Sequence, residues 1–316
     1  MSHLNLDQGH CLYYAEFGYP QGIPLLFIHG GPGSGCQPAH TAYLYPEGFR
    51  IIQLDQRGCG QSTPLGSLAA NTTADLIADM ESLRQHLQIK HWVLYGGSWG
   101  TVLALEYAKQ FPEQVLGVLL RGVFLARHED WAWFALSEGV AQQFPLAYQD
   151  LLQALQLPYG ADPAPRLNTL MQADTETAYH TALAWDRWES TVMGIGEPSF
   201  NPDRNTWATR IARNRIYAHY AANQFFLPEQ GVLTQLEQLA QLPIYAVHGR
   251  NDPVCQLAAA KLLENALPQY QLLEVAAGHG MHELELQRGL QQITQELYLK
   301  LSKPSSQCRL SSNNLP

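Results

Sequence analysis

The stretch His91-Trp92-Val93-Leu94-Tyr95-Gly96-Gly97-Ser98-Trp99-Gly100-Thr101-Val102-Leu103 decides how this chain is read. His91 to Tyr95 is a short apolar run with the length of a buried strand, and Thr101 to Gln110 carries a helical pattern. Between them, Gly96-Gly97-Ser98-Trp99-Gly100 satisfies G-x-S-x-G. A serine on a tight strand-to-helix turn is lifted above the sheet edge at a helix N-terminus, where its hydroxyl is open to attack a substrate. The pentapeptide alone also fits a glycine-rich turn with an ordinary serine, so its context has to be tested outward along the chain.

Strand-length runs recur at Leu25 to Ile28, Arg50 to Leu54 and Val115 to Leu120, and Ala74 to Leu87 reads as a helix. Strands alternating with helices predict an α/β chain with a mostly parallel central sheet. Several runs end in polar or glycine-rich loops, His29-Gly30-Gly31-Pro32-Gly33 and Asp55-Gln56-Arg57-Gly58 among them. In open α/β sheets such loops, at the carboxyl ends of strands, hold ligands. From Phe124 to Leu233 the pattern becomes helical and rich in tryptophan, as expected for an inserted cap. Strand Ile244 to Val247, helix Gln256 to Ala266, strand Gln271 to Val275 and a last helix from Met281 then resume the earlier rhythm. The expected organisation is a core of residues 1–123 and 234–302, a helical cap of residues 124–233, and a polar, frayed tail of residues 303–316.

A serine hydroxyl needs a base to take its proton and an acid to orient that base. Asp252, in Gly249-Arg250-Asn251-Asp252-Pro253, follows strand Ile244 to Val247; His279, in Gly278-His279-Gly280, follows strand Gln271 to Val275. The order Ser98, Asp252, His279 is the one expected of a nucleophile on such a turn, and all three fall at one sheet edge. His282 is the rival base, expected in the first turn of the last helix. An oxyanion needs backbone donors: Trp99, just after the serine, supplies one, and Gly31 in the early glycine-rich loop supplies the second.

Composition narrows the partners. Lys+Arg 19 against Asp+Glu 28 gives a net charge of −9, which disfavours nucleic acid. The first fourteen residues are interrupted by His3, Asn5, Asp7, Gln8 and His10, and no apolar run reaches the roughly 18 residues of a membrane span. A cytoplasmic protein without a membrane partner is expected, and the oligomeric state is left open. The cysteines, Cys11, Cys36, Cys59, Cys255 and Cys308, show no paired spacing, so they read as free thiols; Cys255, close to Asp252, is a candidate neighbour of the site. Neither HExxH nor a nucleotide-binding glycine loop is present, so no metal or cofactor is expected.

Together, His29-Gly30-Gly31-Pro32-Gly33, Asp55-Gln56-Arg57-Gly58-Cys59-Gly60-Gln61-Ser62, Gly97-Ser98-Trp99-Gly100, Leu120-Arg121-Gly122, Trp185-Asp186-Arg187-Trp188-Glu189, Gly249-Arg250-Asn251-Asp252 and Gly278-His279 resemble the proline iminopeptidase family of α/β-hydrolase serine peptidases. The resemblance spans most of the chain. It implies the α/β-hydrolase fold, no metal or cofactor, and release of N-terminal proline from small peptides or amides. It also implies that Glu189 binds the substrate's α-amine. The family's second cap glutamate falls on Tyr217, in Arg215-Ile216-Tyr217-Ala218-His219-Tyr220, which keeps an ester or another small amide open as substrate. A non-catalytic binding protein on the same scaffold is the reading from a different class.

Overall fold

β5 (Trp92–Gly97) lies between β3 (Ile23–Ile28) and β6 (Val115–Arg121). All of its residues are buried, which is why it reads as a continuous apolar run rather than an alternating one. The computed structural model describes residues 2–196 and 198–303. Within them an eight-stranded sheet runs β1-β2-β4-β3-β5-β6-β7-β8, with β1 at Ser2–Asn5, β2 at Cys11–Gly18, β4 at Phe49–Leu54, β7 at Ile244–Gly249 and β8 at Tyr270–Val275. From β4 to β8 every pairing is parallel; β1 with β2 and β2 with β4 are antiparallel. The chain leaves β3 toward β4 on one side and returns to β5 on the other. That reversal opens a crevice at the carboxyl ends of β3 and β5, where ligands bind in such sheets.

Helices cover both faces. α1 (Thr73–His86) starts at Thr72, whose hydroxyl accepts the Asp75 N–H while the Asp75 carboxylate accepts the Thr72 N–H, a reciprocal cap. α2 (Trp99–Gln110) is buried almost all round. α1 and α2, with α8 (Leu257–Ala266), pack on one face; α9 (Leu284–Ser302) packs Leu286, Leu290, Ile293 and Leu297 on the other. Between β6 and β7 the elements are helical: α3 (His128–Ala135), α4 (Pro145–Leu155), α5 (Pro163–Met171), α6 (Thr175–Val192) and α7 (Trp207–Ala222), with short 3₁₀ turns. Trp131, Trp185, Trp188 and Tyr217 of this insertion belong to the same apolar cluster as Leu26, Leu94 and Val102 of the sheet layer. α6 and α7 are tied by Asp186, which accepts from Asn214 Nδ2 at 2.8 Å and from Arg210 Nε at 2.8 Å.

The expected strands and helices occur within a few residues of their sequence positions, and two differences are informative. β1, with Ser2, His3 and Asn5 largely exposed, lacks the apolar run that marks the parallel strands, whereas β2 holds such a run at Cys11 to Ala15, buried from Leu12 to Ala15, that the sequence reading passed over. The last helix begins at Leu284 rather than Met281, because Glu283 turns back to accept the Gly278 N–H at 2.8 Å and stands as the N-cap residue. The tail after Lys303, Cys308 included, lies outside the described residues.

Arg57 donates Nε and Nη2 to the two oxygens of Asp79 at 2.6 and 2.7 Å, with side chains 8% and 4% exposed. Arg57→Met leaves a buried carboxylate without its partner, and the unfolding free energy should drop by about 3–5 kcal/mol in denaturant titration. Arg57→Met with Asp79→Leu should recover much of that loss, because no isolated charge remains.

Candidate active site

Ser98 follows β5 as the N-cap residue of α2, with φ 53° and ψ −122°, a backbone conformation few L-residues adopt. It is held there by its own N–H donating to Arg121 O at 2.9 Å and by its carbonyl accepting the Thr101 N–H at 2.8 Å. The flanking glycines are a steric requirement. A Cβ on Gly96 would stand 2.1 Å from Gly100 O, and one on Gly100 would stand 2.3 Å from Ile28 O. Trp99 opens α2, so its amide is among the N-terminal N–H groups without a helical acceptor.

His279 lies in the loop after β8, and its Nδ1 is 2.7 Å from Asp252 Oδ2 in the loop after β7. Asp252 Oδ1 accepts the N–H groups of Val254 at 2.9 Å and Cys255 at 2.8 Å. Burial alone would raise the Asp252 carboxyl, but His279, then His248 and the Cys255 amide, outweigh it and hold it below its ordinary value. His248, fully buried, accepts the Val123 N–H at Nδ1 (3.1 Å) and so donates from Nε2 to Cys255 O (2.8 Å). That pattern needs the neutral ring, and burial lowers its pKa accordingly. His282 is exposed in the turn before α9, outside the helix in which it was expected.

The ligand atoms of Asp252, Cys255 and His279 lie within 4.8 Å of one another. Two ligands on one tetrahedral zinc at ordinary bond lengths stand roughly 3.3 Å apart. The 2.7 Å between Nδ1 and Oδ2 is instead the length of a shared proton. His279 Nε2 contacts Arg121 Nη1 at 3.3 Å, and Arg121 Nη1 also donates to His279 O at 3.1 Å. No hydrogen bond joins Ser98 to His279 among the described residues; the Ser98 hydroxyl lies against the Cys255 thiol. Nucleophile–base bonds in unliganded sites often close only with substrate.

The glycine-rich loop after β3 is pinned by His29. Its Nε2 accepts the Gln56 N–H at 3.1 Å, so the ring proton sits on Nδ1 and donates to Gly30 O at 2.8 Å. Gln56 Nε2 donates to His29 O at 2.9 Å, and Gln56 Oε1 accepts the Trp99 indole N–H at 3.1 Å. Gly31, in this loop, has φ +115° and borders the same cavity as Ser98.

That cavity, about 320 Å³, has two walls. Trp131, Phe134, Glu189, Tyr217 and Phe225 come from the insertion side; Phe27, His40, Tyr43, Tyr95 and Met281 come from the side of the sheet that α9 covers. Glu189 stands one helical turn beyond Trp185 on α6, with its side chain 14% exposed. Its Oε2 is 2.7 Å from Arg213 Nη2. Burial raises the Glu189 carboxyl above its ordinary value, with Arg213 opposing and Asp186 adding to the rise. Tyr217, 9% exposed, packs its ring 5.1 Å from Trp185; burial, then the Glu189 charge, keep its hydroxyl protonated well above the ordinary range.

Residues 23–286 match the family model described as alpha/beta hydrolase fold. Over 305 residues the chain is 35% identical to the proline iminopeptidase of Neisseria gonorrhoeae, covering 95% of this chain and 96% of that one. It is 38% identical over 286 residues to the proline iminopeptidase of Xanthomonas citri, covering 89% and 91%. The chain belongs to the proline iminopeptidase family. Among solved structures, the esterase EaEST from Exiguobacterium antarcticum is similar in fold, with TM-score 0.63 at 18% identity over 94% of this chain and 98% of that one. MGS-M2, an alpha/beta hydrolase enzyme from a deep-sea metagenome library, gives TM-score 0.65 at 15% identity, covering 97% and 100%.

Set beside the family's expected residues, the site brings Ser98, Asp252, His279, Gly31, Trp99, Glu189 and Tyr217 to the cavity or its immediate edge. It adds two cations that the sequence reading of this iminopeptidase family member passed over as site residues, Arg213 and Arg121. Arg213 stands four residues before Tyr217 on α7, a spacing that places both on one face and was legible once Tyr217 was chosen. Arg121 closes β6, and strand length alone gave no sign of which loop it would face.

Burial raises the Cys255 thiol well above its ordinary value, and its side chain is 4% exposed. At neutral pH iodoacetamide should therefore modify Cys255 much more slowly than a free cysteine, as read by peptide mass spectrometry. Once forced at alkaline pH, that modification should abolish fluorophosphonate labelling of Ser98, and Cys255→Ala should remove the sensitivity.

Proposed function

We propose that this chain is a serine aminopeptidase that releases N-terminal proline from small peptides through an acyl-enzyme. The observation that carries this reading is the arrangement about one cavity. Ser98 stands on its strained turn, the His279–Asp252 pair is joined at 2.7 Å, and the Glu189 carboxylate lies in the opposite wall. The two curated relatives named above, both proline iminopeptidases, support the substrate class.

In this mechanism Ser98 Oγ attacks the prolyl carbonyl and His279 Nε2 takes its proton. Asp252 holds the Nδ1–H tautomer and balances the imidazolium. The amides of Gly31 and Trp99 receive the oxyanion. His279 then gives the proton to the leaving amine, and water repeats the sequence on the acyl-enzyme. Glu189 binds the charged α-amine; to do so it exchanges Arg213, whose side chain is 42% exposed and has Asp186 Oδ1 4.0 Å from its Nη1 as a remaining partner. The inserted helices act as a cap that closes the proline ring among Trp131, Phe134 and Phe225.

An esterase on the same machinery is the second reading. It is favoured by Tyr217 at the place of a second carboxylate and by the ion pair that already occupies Glu189. Steady-state hydrolysis of a prolyl arylamide, its N-blocked analogue and a short aryl ester separates the two. Cleavage of the free-amine prolyl substrate alone, lost in Ser98→Ala, is the expected result. Ester cleavage without prolyl cleavage would reject the peptidase reading.

Two substitutions test the roles. Asp252→Asn should lower kcat by about 10⁴ if Asp252 sets the His279 tautomer, by analogy with the same change in a Ser-His-Asp protease. Glu189→Gln should lower kcat/KM for the prolyl arylamide by about 10- to 150-fold, the loss of a hydrogen bond to a charged group, while sparing the ester.

A further inference from the structure

Arg121 is the least explained charge in the cavity. Its guanidinium bonds only to His279 among the described residues, at Nε2 (3.3 Å) and at the backbone oxygen (3.1 Å). Its Nε is buried without a partner. The other cations near the site differ: Arg213 is paired with Glu189 and Arg127 with Asp130. A guanidinium partly out of water with no counter-ion is costly unless an anion arrives.

Its position says where that anion comes from. His279 Nε2 delivers the proton to the leaving amine, so the nitrogen of the departing residue must approach Nε2. In a free amino acid the carboxyl carbon lies about 2.5 Å from that nitrogen. A carboxylate on the departing residue therefore falls within reach of a guanidinium that already touches Nε2. Arg121 and Glu189 line the same cavity from different elements, Arg121 at the end of β6 beside His279 and Glu189 on α6 of the insertion. The amine and the carboxylate of a two-residue peptide would thus be held on opposite sides of the scissile bond.

We propose that Arg121 anchors the α-carboxylate of the leaving amino acid, so that dipeptides with an N-terminal proline and a free C-terminus are the preferred substrates. This rests on the peptidase reading above. The anchoring also assists the chemistry. An unneutralised cation 3.3 Å from Nε2 opposes the imidazolium that must form there, and a bound carboxylate cancels that opposition. The carboxylate is thus expected to raise kcat as well as lower KM.

The test compares prolyl-alanine, prolyl-alaninamide and the prolyl arylamide on the wild-type protein and on Arg121→Gln. In the wild type, kcat/KM for the free acid should exceed that for its amide by about tenfold or more, the scale of a charge-assisted bond. In Arg121→Gln the ratio should fall to near one, whatever happens to the absolute rates. A wild-type ratio near one overturns the proposal even if the variant does not fold. So does a high ratio that Arg121→Gln leaves unchanged, as it would if Arg121 only positioned His279. Failure of the wild type to cleave any of the three substrates would instead overturn the peptidase reading itself.

Discussion

The hydrogen bonds that run from His29 through Gln56 to Trp99 hold the rest of the site in place. They join the loops after β3 and β4 to the first turn of α2, three segments that the sheet brings together but does not itself align. All three side chains are buried, so each bond lost would strand a polar group in an apolar setting. His29 accepts the Gln56 N–H at Nε2, which needs the neutral ring, and burial lowers its pKa in that direction. The segment Asp55-Gln56-Arg57-Gly58-Cys59-Gly60-Gln61-Ser62 is thereby explained without chemistry of its own. The Asp55 carboxylate accepts amides of Cys36 and Gln61, Arg57 locks α1 through Asp79, and Gln56 sets the glycine-rich loop beside the serine.

The loops at the carboxyl ends of the parallel strands carry Ser98, Asp252 and His279, and the inserted helices bring Glu189 and Tyr217 to the cavity beside Ser98. Within Trp185-Asp186-Arg187-Trp188-Glu189 the roles separate by helical position. Trp185 and Trp188 are buried, Asp186 ties α6 to α7, Arg187 is exposed and Glu189 faces the cavity. One short motif therefore both builds the roof and places its carboxylate.

What was legible in the sequence follows from which signals are local. The parallel strands declare themselves because burial on both faces demands unbroken apolar runs, and the turn at Ser98 declares itself because Gly96 and Gly100 have no steric alternative. Asp252 and His279 were readable because each follows a strand that points at the same edge. β1 was not readable, since a short exposed strand of mixed composition carries no such run, while the run Cys11 to Ala15 of β2 was there to be read and was passed over. His248, buried beneath Asp252 and bonded to Val123 and Cys255, sat inside a strand pattern where a histidine carries no positional signal. The Glu189–Arg213 pair depends on how α6 crosses α7, which no spacing within either helix contains.

That pair bears on the amine recognition we propose for Glu189. With Tyr217 contributing a neutral hydroxyl, Glu189 is balanced by Arg213 before any substrate enters. Binding an ammonium is then an exchange of one ion pair for another, not the filling of an empty carboxylate, so only the difference between the two contributes. Arg213 loses little by turning to water because 42% of its side chain is already there, whereas a proline amine held by Glu189 gains the apolar walls around its ring. Selectivity should accordingly reside in the fit of the ring and in the far end of the substrate as well as in the amine charge. This is the physical setting in which a second charged anchor, across the scissile bond from Glu189, has the most effect.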